Sequence, residues 1–376
     1  MSRKIRVGII FGGRSGEHEV SLISAQGVMG AIDREKYEVV PIGITKEGHW
    51  LASGDPMKAL CSGEIGQSNP ATLLPEPSER GLMRLDEQAR ERALTAIQVS
   101  QIDVMFPILH GPYGEDGTVQ GLLELAGIPY VGAGVTASAV GMDKALFKDI
   151  MRAHGLPVVS YLVIKRQQWE QEPERTIAAI EAELGYHCFV KPANLGSSVG
   201  VSKARNRSEL CAALNEAALY DRKMLVEVAI DAREIEVSVL GNDEPLVSIP
   251  GEIIPSNEFY DYAAKYLDGK SELLIPAPLP AKTTELVQHL AREAFLAIDC
   301  AGMARVDFLM DRQTGKVYIN ELNTIPGFTP ISMYPKLWEA SGLSYTELID
   351  RLIELALERH QDKSRSATSY QRLKKE

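Results

Sequence analysis

A short apolar run near the start of the chain, followed at once by two glycines, most limits what this sequence can fold into. Residues 5–11 read IRVGIIF, and Gly12 and Gly13 come directly after them. A strand with so little polar surface must be covered on both faces, as in a parallel sheet flanked by helices. A helix beginning near residues 15–17 and further strands over residues 37–44, 102–108 and 128–131 continue the alternation. The pattern predicts an α/β, doubly wound N-terminal domain that ends near residue 142.

Length and charge restrict the remaining possibilities. At roughly 150 residues per domain, the 376 residues allow two or three domains. The 51 acidic and 40 basic side chains give a net charge of −11, which argues against a nucleic-acid partner but not against small anions. Four scattered cysteines without a C-x-x-C pair argue against a disulfide framework or a zinc site. No run approaches the roughly 20 apolar residues of a membrane span, so we expect a cytoplasmic protein with no membrane partner.

The pattern changes after residue 142, where a helix is predicted over residues 143–154. The following third predicts a small mixed sheet and one long helix with Ser208 as its N-cap. Residues 52–80 are rich in Ser, Gly and Pro and predict an irregular insertion, and the polar stretch 361–376 predicts a tail. Strands of the last two units are predicted at residues 188–191, 199–202, 224–227, 234–240 and 244–249, with a helix over residues 283–298.

The glycine-rich segment 191–200 (KPANLGSSVG) has two interpretations. Its G-x-S-x-G string matches a hydrolase nucleophile elbow, which requires a helix immediately after it, but a strand-like segment follows here. We therefore prefer a phosphate-binding loop, in which backbone N–H groups and Lys191 hold phosphate oxygens. The loop alone is equally compatible with a plain glycine hairpin.

Residues 132–137 (GAGVTA) match a dinucleotide fingerprint with Ala in the last position. The match lacks a second strand ending in an acidic residue about 20 positions later. A nicotinamide-binding protein is therefore a weaker alternative, and NAD titration would test it.

The strongest constellation of chemical groups lies in a predicted hairpin whose strands cover residues 303–311 and 317–323. If Asp311 opposes Val317, then Asp307 faces Glu321 and Arg305 faces Asn323, so these four side chains share one face. Directly opposed carboxylates are destabilising unless a cation lies between them. Magnesium fits such oxygen ligands, although both carboxylates could instead pair with Arg305.

Residues 256–269 (SNEFYDYAAKYLDG) carry four aromatic side chains without a helical or strand period. Such a segment is typical of an active-site lid. It is equally typical of an irregular loop that packs on its own rings.

Taken together, these motifs resemble those of the D-alanine–D-alanine ligase family of the ATP-grasp superfamily. The resemblance covers residues 5–50 and 102–360, and it fails over the insertion and the tail. It implies an N-terminal Rossmann-like substrate domain (1–142), a central ATP-grasp lobe (143–235) and a C-terminal ATP-grasp lobe with a lid (236–360), so the fold is α/β with α+β parts. The matching segments are residues 12–21 (GGRSGEHEVS), 110–117 (HGPYGEDG), 142–144 (MDK), 191–200, 260–266 (YDYAAKY), 305–307 (RVD) and 320–328 (NELNTIPGF).

The resemblance implies a nucleotide and metal site. Lys144 and Lys191 would hold ATP phosphates, Glu227 and Glu234 would bind the adenine and ribose, and Phe259 would pack near the purine. Two Mg²⁺ (or Mn²⁺) ions would be bound by the hairpin residues Asp307, Glu321 and Asn323.

The resemblance also implies sites for two D-alanines. Glu17 would receive the ammonium of the first, linked through Ser197 to Tyr266 of the lid, with His110 close by. Arg305 and the N–H of Gly327 would stabilise the oxyanion. Lys265 and Ser332 would hold the carboxylate of the second D-alanine.

The implied reaction is ATP-dependent ligation of two D-alanines through an acyl phosphate, by a cytoplasmic homodimer that supplies a peptidoglycan precursor. A D-alanine–D-lactate enzyme would keep nearly all these residues but resemble this pattern with phenylalanine at Tyr266. A nucleotide-binding regulator without catalysis should lack the complete set of Asp307, Glu321 and Asn323, and this chain has it.

Overall fold

The computed structural model describes residues 3–65, 70–77, 81–85, 96–254, 272–329 and 331–367. Their strands form three sheets. The first sheet contains β1 (Ile5–Gly12), β2 (Tyr37–Ile44), β3 (Trp50–Leu51), β4 (Pro70–Leu73), β5 (Gly81–Leu85), β6 (Ala96–Gln101) and β7 (Val104–Ile108). The helices around it are α1 (His18–Ala31), α2 (Pro56–Ser62), α3 (Thr118–Leu125) and α4 (Val135–Met142).

The N-terminal sheet has a parallel core, in which β1 pairs with β2 on one side and β7 on the other. Helices cover both faces, because Ile9 packs in one core with α1 whereas Ile10 packs in another with α3. The prediction of a doubly wound domain is therefore confirmed. Beyond β2 the sheet continues as antiparallel strands in the order β6-β5-β4-β3-β2-β1-β7.

Two local predictions in this domain were wrong. The stretch 52–80, which was predicted to be irregular, contains α2 and β4. Strands as short as these depend on their surroundings, so their composition does not predict them. Residues 128–131 do not form a strand, because only Tyr130 makes a parallel bridge, to Met105. Pro129 has no N–H with which to extend a ladder.

The second unit is a four-stranded sheet in the order β10-β9-β11-β8. It packs against α7 and α8 through a core that includes Ile180 and Leu214. Its strands are β8 (Tyr161–Lys165), β9 (Cys188–Pro192), β10 (Ser202–Ala204) and β11 (Lys223–Val228), and its helices are α5 (Lys144–Ala153), α6 (Arg166–Gln171), α7 (Pro173–Glu183) and α8 (Arg207–Tyr220).

Two details of this unit differ from prediction. The strand predicted over residues 199–202 begins only at Ser202, since Ser197 and Ser198 have φ of +51° and +57° and lie in turns. The N-cap of α8 is Asn206, whose side chain accepts a hydrogen bond from the N–H of Glu209, and not Ser208. Asparagine caps helices as well as serine does.

The third unit is a six-stranded sheet in the order β15-β14-β12-β16-β17, with β13 paired to β12. Its strands are β12 (Ala232–Gly241), β13 (Leu246–Val247), β14 (Gly251–Ile254), β15 (Glu272–Leu274), β16 (Gly302–Asp311) and β17 (Val317–Asn323), and its helices are α9 (Ala281–Ala297), α10 (Met333–Ala340) and α11 (Tyr345–Lys363). The strand predicted over residues 244–249 is thus shorter than expected.

The β16–β17 hairpin brings together the predicted pairs, but by another register than expected. Met310, not Asp311, opposes Val317, and the pairing shifts between Asp307 and Phe308. Past this bulge, Asp307 lies opposite Glu321 and Arg305 opposite Asn323, as predicted.

One apolar core joins the N-terminal sheet to the last unit, and it contains Phe11 of β1, Phe328 and Leu352 of α11. This packing places the loop after β17 directly under the carboxyl ends of β1 and β7. In the described part of the chain, no helix is long and apolar enough to cross a membrane. The boundaries at residues 142 and 235 stay a prediction.

Candidate active site

A cavity of about 1110 Å³ lies where the three units meet. Every predicted site residue that the structure describes lines it: Glu17, His110, Lys144, Lys191, Ser197, Glu227, Glu234, Arg305, Asp307, Glu321, Asn323, Gly327 and Ser332. The other three, Phe259, Lys265 and Tyr266, and the whole segment 256–269 lie outside the described residues. Their roles stay predictions.

The hairpin carboxylates have separate cationic partners. Arg305 donates two hydrogen bonds to Asp307, from Nε at 2.7 Å and from Nη2 at 2.6 Å, and Asn323 Nδ2 donates to Asp307 Oδ2 at 3.0 Å. Glu321 Oε2 lies 3.7 Å from Lys144 Nζ. Arg305 thus contacts Asp307 directly, and Lys144 is a nearby cation for Glu321.

Glu236 of β12 is a cavity residue that the sequence analysis missed. Its Oε2 lies 3.0 Å from Arg305 Nε. Burial alone would lower the pKa of Arg305, but Asp307 and Glu236 raise it well above its usual value. The guanidinium group is therefore always charged.

The donor set fits magnesium better than a metal that needs a full protein cage. Among the described residues, no group of three or more His, Cys, Asp and Glu side chains has the arrangement of a metal site. Magnesium usually binds one or two carboxylates and completes its shell with water and substrate phosphates. Asp307, Glu321 and Asn323 supply such an incomplete set.

Lys144 is held in place at the start of α5. Its Nζ donates to the carbonyl of Leu195 at 2.7 Å, in the glycine-rich loop. The preceding Asp143 caps the helix, accepting from the N–H groups of Ala145 and Leu146, and also pairs with Lys223. An N-cap of this kind stabilises the first turn, and so it fixes the direction of the Lys144 side chain.

A buried group of two lysines and one glutamate lies behind the nucleotide side of the cavity. Glu227 pairs with Lys148 (Nζ–Oε1 2.9 Å) and with Lys191 (Nζ–Oε2 2.5 Å). Burial raises the pKa of Glu227, but the two lysines more than offset it and leave the pKa below its usual range. Burial lowers the pKa of Lys148, and Glu227 opposes this shift only in part. The sequence analysis missed Lys148, since nothing in an ordinary helical pattern marks a buried lysine.

Glu17 and Ser197 meet as predicted, because Ser197 Oγ donates a hydrogen bond to Glu17 Oε1. Two glycines allow the carboxylate to fit, since a Cβ added to Gly111 or to Gly196 would lie 2.8 Å from Glu17 Oε2. A methyl group at either position would therefore force Glu17 or its surrounding loops to shift.

His110 is buried and neutral. Its Nδ1 lies 3.1 Å from the carbonyl of Ile325, so Nδ1 carries the proton. Ser24 donates to Nε2 at 3.2 Å, while its oxygen accepts from the N–H of Phe328 at 3.3 Å. Burial lowers the pKa of His110, although Glu17 opposes the shift.

Glu115 holds the backbone of the same residue, Ile325, from its N–H side. Its Oε1 accepts from the N–H of Ile325 at 3.2 Å, and its Oε2 accepts from the N–H of Gly111 at 2.7 Å. Burial and the nearby Glu17 raise the pKa of Glu115 to about 8. Glu115 belongs to the matching segment 110–117, but no role was predicted for it.

Gly327 and Ser332 lie side by side at the start of α10. Ser332 precedes the helix, but its hydroxyl accepts from the N–H of Thr329 at 3.0 Å and does not cap its own helix. A Cβ on Gly327 would lie 2.8 Å from Ser332 Oγ. Backbone donors of the loop and of the helix N-terminus therefore lie next to each other, as an anion site requires.

This fold and this site define an ATP-dependent ligase with an ATP-grasp fold: lysines of the second unit, one on its sheet and one on α5, and carboxylates of the third unit line the same cavity. The family models "D-ala D-ala ligase N-terminus" and "D-ala D-ala ligase C-terminus" match residues 6–133 and 150–354. The chain belongs to the D-alanine–D-alanine ligase family.

Individual relatives agree with this assignment. The D-alanine–D-alanine ligase of Natranaerobius thermophilus is 53% identical over 369 residues, which cover 98% of this chain and 99% of that protein. The solved D-alanine–D-alanine ligase of Coxiella burnetii superposes with a TM-score of 0.81 at 38% identity, over 96% and 98% of the two chains. The VanG D-Ala:D-Ser ligase of Enterococcus faecalis gives 0.82 at 36% identity, over 94% and 100%.

Proposed function

We propose that the cavity joins two D-alanines in two chemical steps, for peptidoglycan precursor synthesis. In the first, a carboxylate oxygen of one D-alanine attacks the γ-phosphorus of ATP, which gives an acyl phosphate and ADP. In the second, the amine of the other D-alanine attacks the acyl carbon, loses a proton, and displaces inorganic phosphate. The convergence of Lys144, Arg305 and Glu17 on one cavity is the observation that carries this proposal.

Lys144 and Lys191 neutralise phosphate oxygens, because phosphoryl transfer depends mainly on positioning and on charge neutralisation. Glu227 and Glu234 bind the adenine and ribose, and Phe259 packs on the purine. The contact of Lys191 with Glu227, at 2.5 Å, supports this proposal, because one lysine then lies next to both a proposed base-binding group and the proposed phosphate site.

Asp307, Glu321 and Asn323 hold two magnesium or manganese ions. When bound, these ions neutralise phosphate oxygens during the transfer. The two opposed carboxylates support this proposal, since a cation between them would relieve their mutual repulsion.

Glu17 binds the ammonium of the first D-alanine, and Ser197 orients Glu17 and links it to Tyr266. Neutral His110 lies beside this site and adds no charge that would repel the ammonium. Such fixed partners position the reacting carboxylate before the chemistry starts.

Arg305 and the N–H of Gly327 stabilise the oxyanion that forms when the second amine attacks the acyl phosphate. Donors that are fixed beforehand stabilise such a charge without reorganisation. Lys265 and Ser332 hold the carboxylate of the second D-alanine, and the lid that contains Lys265 excludes water from the acyl phosphate.

The choice of second substrate rests on the comparison with relatives. D-Lactate or D-serine could occupy the same subsite, and one structural relative is a D-Ala:D-Ser ligase. D-Alanine is favoured because the curated relatives above 50% identity carry that name. We further propose that the protein is cytoplasmic, because it uses cellular ATP. We also propose that it is a homodimer, as the family resemblance implies.

Phosphate release from ATP tests the proposal, with D-alanine, L-alanine, D-lactate and D-serine offered singly and in pairs. We expect release with D-alanine alone, and the D-alanine dipeptide as the product. Equal release with L-alanine would refute the assignment of substrate, and release without any dipeptide or ester would refute ligation.

A further inference from the structure

Three carboxylates form a row across neighbouring strands at the cavity. Glu236 of β12 lies opposite Asp307 of β16, which in turn lies opposite Glu321 of β17. Directly opposed like charges repel each other, so such a row needs cations to be stable. The roles described so far use Asp307 and Glu321 but assign nothing to Glu236.

Glu236 is only 5% exposed, yet it lines the cavity. Its Oε2 lies 3.0 Å from Arg305 Nε, while the same guanidinium group makes two hydrogen bonds to Asp307. Arg305 is thus held by one carboxylate from its own strand and by one from the neighbouring strand.

The two carboxylates that hold Arg305, Asp307 and Glu236, differ in their proposed contact with metal. Asp307 is a proposed metal ligand together with Glu321 and Asn323, and the latter two lie on the β17 side of β16. Glu236 lies on the β12 side. A divalent cation at Asp307 would cancel the charge that attracts the guanidinium group and would itself repel that group.

We propose that Glu236 is the positioning residue that holds Arg305 at the oxyanion while Asp307 is bound to metal. The inference rests on the proposed function. Glu236 does not touch the reacting atoms, and it acts only through Arg305. The carboxylate charge of Glu236 is essential to this role, because it is the counter-charge that remains for Arg305.

Glu236→Gln tests the charge, since glutamine keeps the shape and one acceptor oxygen. Two affinities should be measured: that for ADP with Mg²⁺, and that for a tetrahedral phosphinate analogue of the D-alanine dipeptide with ADP and Mg²⁺ present. We expect the first to stay within about twofold and the second to fall about ten- to hundredfold, because the buried guanidinium group loses its nearby counter-charge.

Glu252→Gln is the matched control. Glu252 is a buried carboxylate that receives two hydrogen bonds from Arg233, at 2.7 and 2.6 Å, and it belongs to β14 of the same sheet. It does not line the cavity. We expect both affinities of this variant to equal those of the parent enzyme.

A double-mutant cycle with Arg305→Ala tests whether Glu236 acts through Arg305. Coupled residues give non-additive losses, so adding Glu236→Gln to Arg305→Ala should have little further effect on analogue affinity. Unchanged analogue affinity in Glu236→Gln, or fully additive losses in the cycle, would overturn the proposal.

Other outcomes of these measurements would also decide whether Glu236 positions Arg305. If binding of ADP with Mg²⁺ falls as much as analogue binding does, Glu236 is a metal ligand and the positioning role is wrong. If Glu236→Gln does not fold by circular dichroism, Glu236→Asp keeps the charge and should lose less than tenfold, and a complete loss there would overturn the proposal. Failure of the parent enzyme to bind the analogue would refute the proposed function itself.

Discussion

The ammonium nitrogen of Lys148 lies 2.9 Å from the carboxylate of Glu227, and both side chains are shielded from solvent almost completely. A buried ion pair of this kind gives little net stability, but removing one partner leaves an uncompensated buried charge. Here Glu227 has a second partner in Lys191, so the charge can be balanced from either side. In the proposed function, the pair therefore orients the Glu227 carboxylate more than it stabilises the fold.

Lys148→Met should lower the free energy of unfolding by about 1–3 kcal/mol, because Lys191 still compensates Glu227. The KM for ATP should rise, since Lys191 is then held more tightly by Glu227 and less by phosphate. Urea unfolding and initial rates at varied ATP concentrations measure the two effects. Leu146→Met, on the exposed side of α5, is the control, and equal KM values for both variants would contradict the orienting role.

Glu115→Gln should flatten the dependence of stability on pH. The pKa of Glu115 is raised to about 8 in the folded protein, against about 4.3 when unfolded. Folding therefore favours the proton, and this contribution to stability is present in acid and is lost as the pH rises through the folded pKa. Glutamine cannot titrate. Between about pH 5 and pH 9, the fall in the free energy of unfolding should therefore be smaller for the variant than for the parent, by on the order of 1–3 kcal/mol.

The control for this experiment is Glu38→Gln, since Glu38 is largely exposed. The slope of stability against pH is the relevant quantity, because glutamine cannot accept both N–H groups that Glu115 binds. Parallel curves for Glu115→Gln and the parent enzyme would show that the carboxyl is ionised throughout.

Gly196→Ala should impair binding of the first D-alanine and spare ATP. The added methyl group would lie 2.8 Å from Glu17 Oε2, so the carboxylate or the loop must shift. Misplacement of this size commonly costs about tenfold to a hundredfold in rate or binding. Gly30→Ala in α1 meets no atom within 4 Å and is the control. Steady-state KM values for D-alanine and ATP separate the effects, and an unchanged D-alanine KM would argue against the role of Glu17.

Glu321→Gln should abolish ligation while leaving the fold intact, because it removes a proposed ligand of both metal ions. Without metal, neutralising one of the opposed carboxylates should raise stability slightly, by less than about 1 kcal/mol. Thermal unfolding with and without Mg²⁺ and phosphate release measure the two effects. Near-normal turnover at millimolar Mg²⁺ would show that the metal assignment is wrong.

Tyr266→Phe should keep ATP binding, lose dipeptide synthesis about ten- to hundredfold, and gain relative activity with D-lactate. With Tyr266 in its proposed role, the missing hydroxyl would remove one hydrogen bond from the Glu17–Ser197 cluster. A hydroxy acid carries no ammonium to deprotonate, so it should tolerate the change better than D-alanine does. Rates with both acceptors at several pH values measure the ratio, and an unchanged ratio would make Tyr266 a packing residue.

The parts of the site that depend on local rules could be predicted. Alternation along β16 and β17 predicted Asp307 opposite Glu321 on one face, and the pair forms, although the register assumed at the turn was wrong and a bulge restores it. The start of a helix at Asp143 was also predicted, and the structure makes Asp143 the N-cap of α5, directly before Lys144.

Contacts between distant segments could not be predicted from local sequence patterns. Glu17 meets Ser197, and His110 meets Ile325, only because three units pack around one cavity. The family resemblance linked the first pair, but no local pattern did. Glu236 and Lys148 carried no signal, because the order of strands in a sheet and the buried face of a short helix depend on packing that is absent from a local pattern.

The bulge in β17 determines how the site would respond to the loss of single residues. Asn320 is the extra residue at the bulge, and it lines the cavity together with Glu321. Deleting Asn320 would make the ladder regular and leave Glu321 opposite Asp307, whereas deleting Ile319 from the paired part would break the match of apolar faces. The bulge thus separates the pairing of Asp307 with Glu321 from the turn, and a change of length confined to residues 312–316 should leave these two residues opposite each other.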